Sequence, residues 1–558
     1  MRRRHFNSIF ILLAMMAFLL SGCGPKQSDQ PVDGTRFEIS FDASAHNGPI
    51  TGRIYVMISR TDEREPRLQI GRGGVPFFGV DIEQFMPGET VTIDESILGF
   101  PVESLTDLPA GDYYVQGFVN IYTEFHRADG HTIWLHDDQW EGQRFNRSPG
   151  NLYSDVMNVH LDPENGYDIR LETTHVIPPI PDPEETEWVK RIKFESKILS
   201  EFWGRPIYLG ATILLPRGYH DHPAIDYPVD YVQGHFSLRP PYGFRTEPPD
   251  GDNRWLQRGY DLYQAWISDN FPRMILVTLQ HPCPYFDDSY ALNSANCGPY
   301  GDAIMRELIP EIESRFRVIR EPWARILEGG STGGWEALAL QVFYPDFFGG
   351  AFGYCPDPVD FSDVEGINIY EDENAYWRQN GWVRVPNIAV RGPDGTIRMT
   401  TKQKNMYELV RGTKGRSGEQ FDIWSAVYGP VGDDGYFKPL YDKETGVIDP
   451  QVAMYWQEHY DLHHILKTNW ETLGPKLRGK LHIFTGDMDS FYLNNSTHIL
   501  EDFLEKTQNP HYDGFVWYGP REPHCWSGPF TPAERIRFFA THIATNAPGD
   551  REMLWWTY

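Results

Sequence analysis

The sequence predicts two structural classes in series: an all-β sandwich, then an α/β domain whose mostly parallel sheet is covered by helices on both faces. Three observations carry this. Residues 35–176 are short alternating runs broken by Gly and Pro, with no sustained 3.6-residue periodicity. Residues 177–185 place four prolines among nine positions, which neither a helix nor an inner strand tolerates. Beyond them, β-rich runs alternate with amphipathic helical stretches, the pattern of a parallel sheet with crossover helices.

Taken in order, the chain opens with Arg2, Arg3 and Arg4 ahead of an apolar run over residues 10–20, too short to span a bilayer. Residues 1–22 therefore read as an export signal. Leu20-Ser21-Gly22-Cys23 resembles the lipobox of bacterial lipoproteins, which implies lipidation at Cys23 and a membrane anchor. Gly24 is not the Asp that favours inner-membrane retention in such proteins, so the expected location is the outer membrane, facing the periplasm or the surface. An ordinary signal peptide with an incidental Cys is the alternative.

Residues 35–176 form the expected immunoglobulin-like sandwich. Arg36-Phe37-Glu38-Ile39-Ser40-Phe41 alternates strictly, residues 53–58 more loosely, and the turn at residues 108–112 feeds a strand. Residues 177–190 are a stiff linker. The α/β domain fills residues 191–558. Residues 208–216, 229–232 and 273–278 read as strands, and Ile304, Leu308, Ile312 and Phe316 mark one helix face. Between residues 360 and 464 a polar stretch rich in Gly and aromatics interrupts the rhythm, as a cap insertion would. Thr531-Pro532-Ala533-Glu534 is a capping box opening the last helix.

Composition excludes some partners. Fifty Lys and Arg against 78 Asp and Glu give a net charge of −28, which repels polyanions such as nucleic acid. Cys283, Cys297, Cys355 and Cys525 allow either two disulfides or four thiols, and their spacing is not that of a zinc site. Asp250-Gly251-Asp252 and Gly432-Asp433-Asp434-Gly435 lack a full calcium-ligand series and read as solvated turns.

The chemistry is concentrated in residues 325–335. A short apolar strand runs into Gly329-Gly330-Ser331-Thr332-Gly333-Gly334 and then into a helix whose Trp335, Leu338, Ala339 and Val342 share one face. A Ser at the apex of such a turn has a strained backbone and needs Gly neighbours. The helix that follows points its amides at a developing oxyanion. Ser331 is thus the candidate nucleophile. It needs a base, and a carboxylate to hold the base, in the chain order Ser, acid, His. The strand at 481–485 ends in Gly486-Asp487-Met488-Asp489, and the next, 514–518, is followed by Pro523-His524-Cys525-Trp526. His524 is the candidate base. Asp487 and Asp489 compete for the acid, and Asp489 is preferred.

These residues resemble the esterase D-like branch of the α/β hydrolases, which includes feruloyl and acetyl xylan esterases, S-formylglutathione hydrolase and the mycolyltransferases. The resemblance spans roughly residues 194–545. It rests on the segment around Ser331, on the Gly-x-x-Asp turn from Gly486 to Asp489, and on His524-x-Trp526. It implies carboxylic esters as substrates, esters on carbohydrates among them, and no metal or cofactor. It also implies an oxyanion hole built from the amide of Thr332 and one after Gly234. This chain has Gln233-Gly234 where that group more often has His-Gly, which leaves His235 and Phe236 open, with His235 preferred. A peptidase or acyltransferase would use the same residues, and a non-catalytic polysaccharide-binding lipoprotein is the reading from another class.

Overall fold

A computed structural model describes residues 34–549 and 553–556. The signal segment and Cys23 lie outside the described residues.

The N-terminal region is all-β, with ten strands joined in one hydrogen-bonded network. Its first strand, Thr35–Phe41, buries Phe37, Ile39 and Phe41 and turns the residues between them outward, the period of two that the sequence shows. The long strand Gly111–His126 is the hub, pairing antiparallel with Ile50–Ser59, Thr132–His136, Leu152–Ser154 and Met157–Leu161. Ile54, Val56, Val115 and Val119 meet Phe37 and Ile39 in a core separate from that of the second domain. Residues 177–186 form neither helix nor strand.

The second domain is built on eight strands: β1 (Val189–Ser196), β2 (Ile207–Leu214), β3 (Val229–Gln233), β4 (Ile275–Gln280), β5 (Arg325–Gly330), β6 (Gly350–Tyr354), β7 (Leu481–Gly486) and β8 (Phe515–Gly519). Their spatial order is β1-β2-β4-β3-β5-β6-β7-β8. β2 runs antiparallel to both neighbours, and every pair from β4 onward is parallel. This is the α/β-hydrolase sheet. Its inner strands are buried on both faces, which is why β4 and β6 carry no charged residue and do not alternate. Helices α1 (Arg254–Trp266), α2 (Thr332–Phe343), α3 (Thr401–Arg411), α4 (Gln420–Tyr428), α5 (Leu493–Leu504) and α6 (Pro532–Asn546) surround it or lie in the insertion. The capping box at Thr531 and Glu534 opens α6 as the sequence predicts. The helix expected around residues 302–316 is present but contains a π-helical turn at Ile304–Leu308.

The long excursion lies between β6 and β7. It carries two hairpins, Trp377–Asn380 with Val383–Pro386 and Ile388–Arg391 with Ile397–Thr400, followed by α3 and α4. α3 is also what the N-terminal region grips. Tyr55, Phe77, Phe118 and Phe145 pack against Tyr407 and Val410 in a small core of their own. The buried Arg53 reaches Asp81 at 2.6 Å and donates to the Val410 carbonyl at 3.1 Å. A second seam joins Phe125 to Trp203, ring centroids 5.2 Å apart.

Of the two cysteine alternatives, the structure has the thiols. Cys283, Cys297 and Cys355 are buried and Cys525 is exposed, all four free.

Candidate active site

Ser331 sits between the end of β5 and the first turn of α2 with φ +59° and ψ −123°, a positive-φ conformation that costs a residue with a Cβ on the order of 1–3 kcal/mol. Its surroundings hold it there. The Ser331 amide donates to the Tyr354 carbonyl at 2.8 Å. A Cβ on Gly329 would stand 2.2 Å from the Gly333 carbonyl, and one on Gly333 would stand 2.2 Å from the Gln233 carbonyl. The glycines of the motif are therefore demanded by backbone contact, and Gly333 packs directly on the loop that ends β3.

The three residues singled out in the sequence converge. Ser331 Oγ lies 2.9 Å from His524 Nε2, and His524 Nδ1 lies 2.7 Å from Asp489 Oδ2. Asp489 is fully buried in the turn after β7, and its other oxygen accepts the amides of Phe491 at 2.8 Å and Leu493 at 3.3 Å. Arg391 fixes the same turn by donating to the Asp489 carbonyl at 2.8 Å. The neighbouring carboxylate is turned elsewhere: Asp487 accepts the Arg521 amide in the turn after β8. The Phe491 ring stands edge-on to His524 at 4.9 Å and limits its rotation.

Loss of solvent lowers the pKa of His524, but the hydrogen bond to Asp489 and the neighbouring Cys525 thiol outweigh it and raise the value to about 10. The carboxylate thus stabilises the imidazolium, the form that exists once the imidazole has taken a proton from a hydroxyl.

Thr332 opens α2, where the first amides of a helix have no partner within it. His235 follows Gly234, whose φ is +145°, on the loop against Gly333. Its side chain is half-exposed and paired with Asp287 at 2.9 Å and Asp288 at 3.3 Å. Phe236 instead packs edge-on against Trp140 of the N-terminal region at 5.0 Å.

Sequence reasoning missed Asp357. This buried carboxylate lies 3.4 Å from Ser331 Oγ and accepts Tyr290 Oη at 2.6 Å, Thr332 Oγ1 at 3.1 Å and Gln420 Nε2 at 3.1 Å. It makes the insertion part of the site, because Gln420 and the adjacent Trp424 belong to α4. The signal was an acidic residue just past β6, within Cys355-Pro356-Asp357-Pro358, another strand end beside the nucleophile. On the other side of His524 lies a cleft of about 880 Å³ lined by Gly234, Tyr242, Trp255, Trp526 and Phe530, with Arg239 at its rim.

The chain is similar to several known proteins. A ferulic acid esterase is similar at 16% identity and a TM-score of 0.36, over 64% of this chain and 99% of that one. An S-formylglutathione hydrolase from Agrobacterium tumefaciens is similar at 12% identity and a TM-score of 0.34, over 64% and 98%. The fluorophosphonate-binding serine hydrolase F of Staphylococcus aureus has 12% identity and a TM-score of 0.33 over the same shares. No curated protein matches the sequence. The family described as "Putative esterase" matches residues 208–408, the stretch that holds β2 to β6, the Ser331 turn and α2, so that part of the second domain is similar to the esterase family.

Proposed function

We propose that this protein is a serine ester hydrolase working through an acyl-enzyme, with Ser331 as nucleophile, His524 as base and acid, and Asp489 as the carboxylate that orients His524. The observation that carries this is the continuous hydrogen-bonded line from Ser331 Oγ through His524 to Asp489, at 2.9 and 2.7 Å, on a serine held at positive φ. His524 Nε2 takes the hydroxyl proton as Oγ attacks the acyl carbon. The amides of Thr332 and His235 receive the oxyanion. The imidazolium then returns its proton to the leaving alkoxide, and a water molecule repeats the sequence to release the acid and free Ser331.

The match to the esterase family supports hydrolysis of esters. The aromatic lining of the cleft beside His524 favours an aryl or acyl group of a glycan ester, because Tyr242, Trp255, Trp526 and Phe530 offer flat apolar faces that also suit sugar rings. The proposal includes export and anchoring through Cys23; Cys23→Ser is expected to move the protein from the membrane to the soluble fraction.

The test of the activity is a panel of aryl, acetyl and feruloyl esters and thioesters compared with peptides, with Ser331→Ala as control. Ester turnover that disappears in the variant is expected. Peptide turnover without ester turnover would replace the reading with a peptidase.

A further inference from the structure

His235 has a second set of relations that the reaction at Ser331 does not use. Its Nδ1 faces two carboxylates from the loop after β4, Asp287 Oδ1 at 2.9 Å and Asp288 Oδ2 at 3.3 Å, and the three donor atoms all lie within 4.8 Å of one another. A third acidic group lies next to Asp288. Glu336, in the second turn of α2, is fully buried, and neither of its carboxyl oxygens has a hydrogen-bond partner among the described residues. It faces Asp288, and burial and that neighbour push its pKa well above the ordinary carboxyl value. Among the described residues no lysine or arginine pairs with Asp287, Asp288 or Glu336.

The aspartates favour the protonated imidazole, but three carboxyl groups outnumber that one positive charge, and burying Glu336 beside Asp288 is costly unless a proton or a further cation sits among them. We propose that His235, Asp287 and Asp288, with the Glu336 carboxyl behind Asp288, bind a divalent cation of the zinc or manganese type. The donor set chooses the class: one imidazole nitrogen with carboxylate oxygens suits zinc or manganese, whereas calcium and magnesium take oxygen ligands. His235 Nδ1 stands 2.9 and 3.3 Å from the two aspartate oxygens, within the roughly 2.9–3.5 Å that an ion with bonds of about 2.0–2.2 Å sets between its ligand atoms. Half-exposed His235 gives the ion a path from solvent, and buried Glu336 adds negative charge next to Asp288.

The ion ties together three elements: the loop after β3, the loop after β4, and α2. The first and last of these carry the His235 and Thr332 amides, so the metal site is structural and stiffens the frame of the oxyanion hole. It takes no part in the chemistry at Ser331, and it does not depend on what that serine cleaves.

The experiment is calorimetric titration of the chelator-treated full protein with zinc chloride and manganese chloride, with calcium chloride as comparator, alongside thermal melts. One equivalent of zinc or manganese is expected to bind and to raise the Tm. Asp287→Asn, at the solvent side, and Glu336→Gln, at the buried side, are each expected to weaken binding at least about tenfold and to abolish the metal-dependent shift. The proposal is overturned if the wild type binds neither zinc nor manganese, if only calcium binds, or if Asp287→Asn binds as tightly as the wild type. A Glu336→Gln variant more stable than a wild type that takes up no ion would identify the cluster as a proton-sharing pair instead.

Discussion

At Ser331 the backbone, the glycines and the imidazole all act on one oxygen, so removing that oxygen is the sharpest change available. Ser331→Ala is expected to lower kcat for a good ester by about 10⁴–10⁶-fold while leaving the melting temperature close to that of the wild type. Asp489→Asn keeps the shape of the buried turn but loses the charge that holds His524, and a fall of about 10⁴-fold is expected. The two residues also determine a pH dependence. Ser331 is activated only when His524 is neutral, and Asp489 raises the His524 pKa above that of a free imidazole, to about 10. kcat/KM should therefore climb with pH and level off on the alkaline side. In Asp489→Asn the residual activity should inflect at lower pH. A profile that is flat from pH 5 to 10 would contradict the assignment of the base. Ser331 and His524 were legible in the sequence because each sits at a strand end with its own local signature. Asp489 could be separated from Asp487 only by three-dimensional contact. Asp357 was not found, since its one signal, a carboxylate just past β6, does not by itself mark it as a neighbour of Ser331.

At the level of the elements, the strand, turn and helix from β5 to α2 are readable because the constraint is local: a positive-φ serine between glycines whose Cβ atoms would strike backbone. Gly333→Ala tests this. The new methyl would meet the Gln233 carbonyl at 2.2 Å, so α2 and the loop after β3 must separate. The expected result is a loss of stability of about 2 kcal/mol or more, together with a loss of kcat larger than the loss of binding, because the two oxyanion donors sit on either side of that contact. A variant with unchanged kcat would detach the loop from the hole. The insertion was legible only as an interruption. Its hairpins and its helices α3 and α4 are stabilised by long-range packing, against Tyr55 and Phe77 on one side and Asp357 on the other, and such partners leave no periodic trace in the local sequence.

Across the whole molecule, two cores are joined through an aromatic seam, and the N-terminal region reaches the catalytic loops at two places. Trp140 packs on Phe236 in the loop after β3. Arg72 lies over the Phe491 ring at 5.7 Å, and that ring in turn holds His524. The β domain therefore shapes the mouth of the site. Phe77→Ala, at the seam with Tyr407, is expected to destabilise the protein by about 3–5 kcal/mol in urea and to loosen both contacts. Division of the chain into an all-β and an α/β class was legible because the hydrophobic period changes. How the two meet was not, since the contacts are made by helix α3, Trp203 and Phe236, which are far apart in the sequence. Everything proposed about the reaction returns to one oxygen atom, and the most direct measurement is covalent labelling. Incubation with a fluorophosphonate, followed by peptide mapping by mass spectrometry, should give a single adduct on Ser331 that is absent from Ser331→Ala. An unlabelled protein, or an adduct that persists in the variant, would contradict the account.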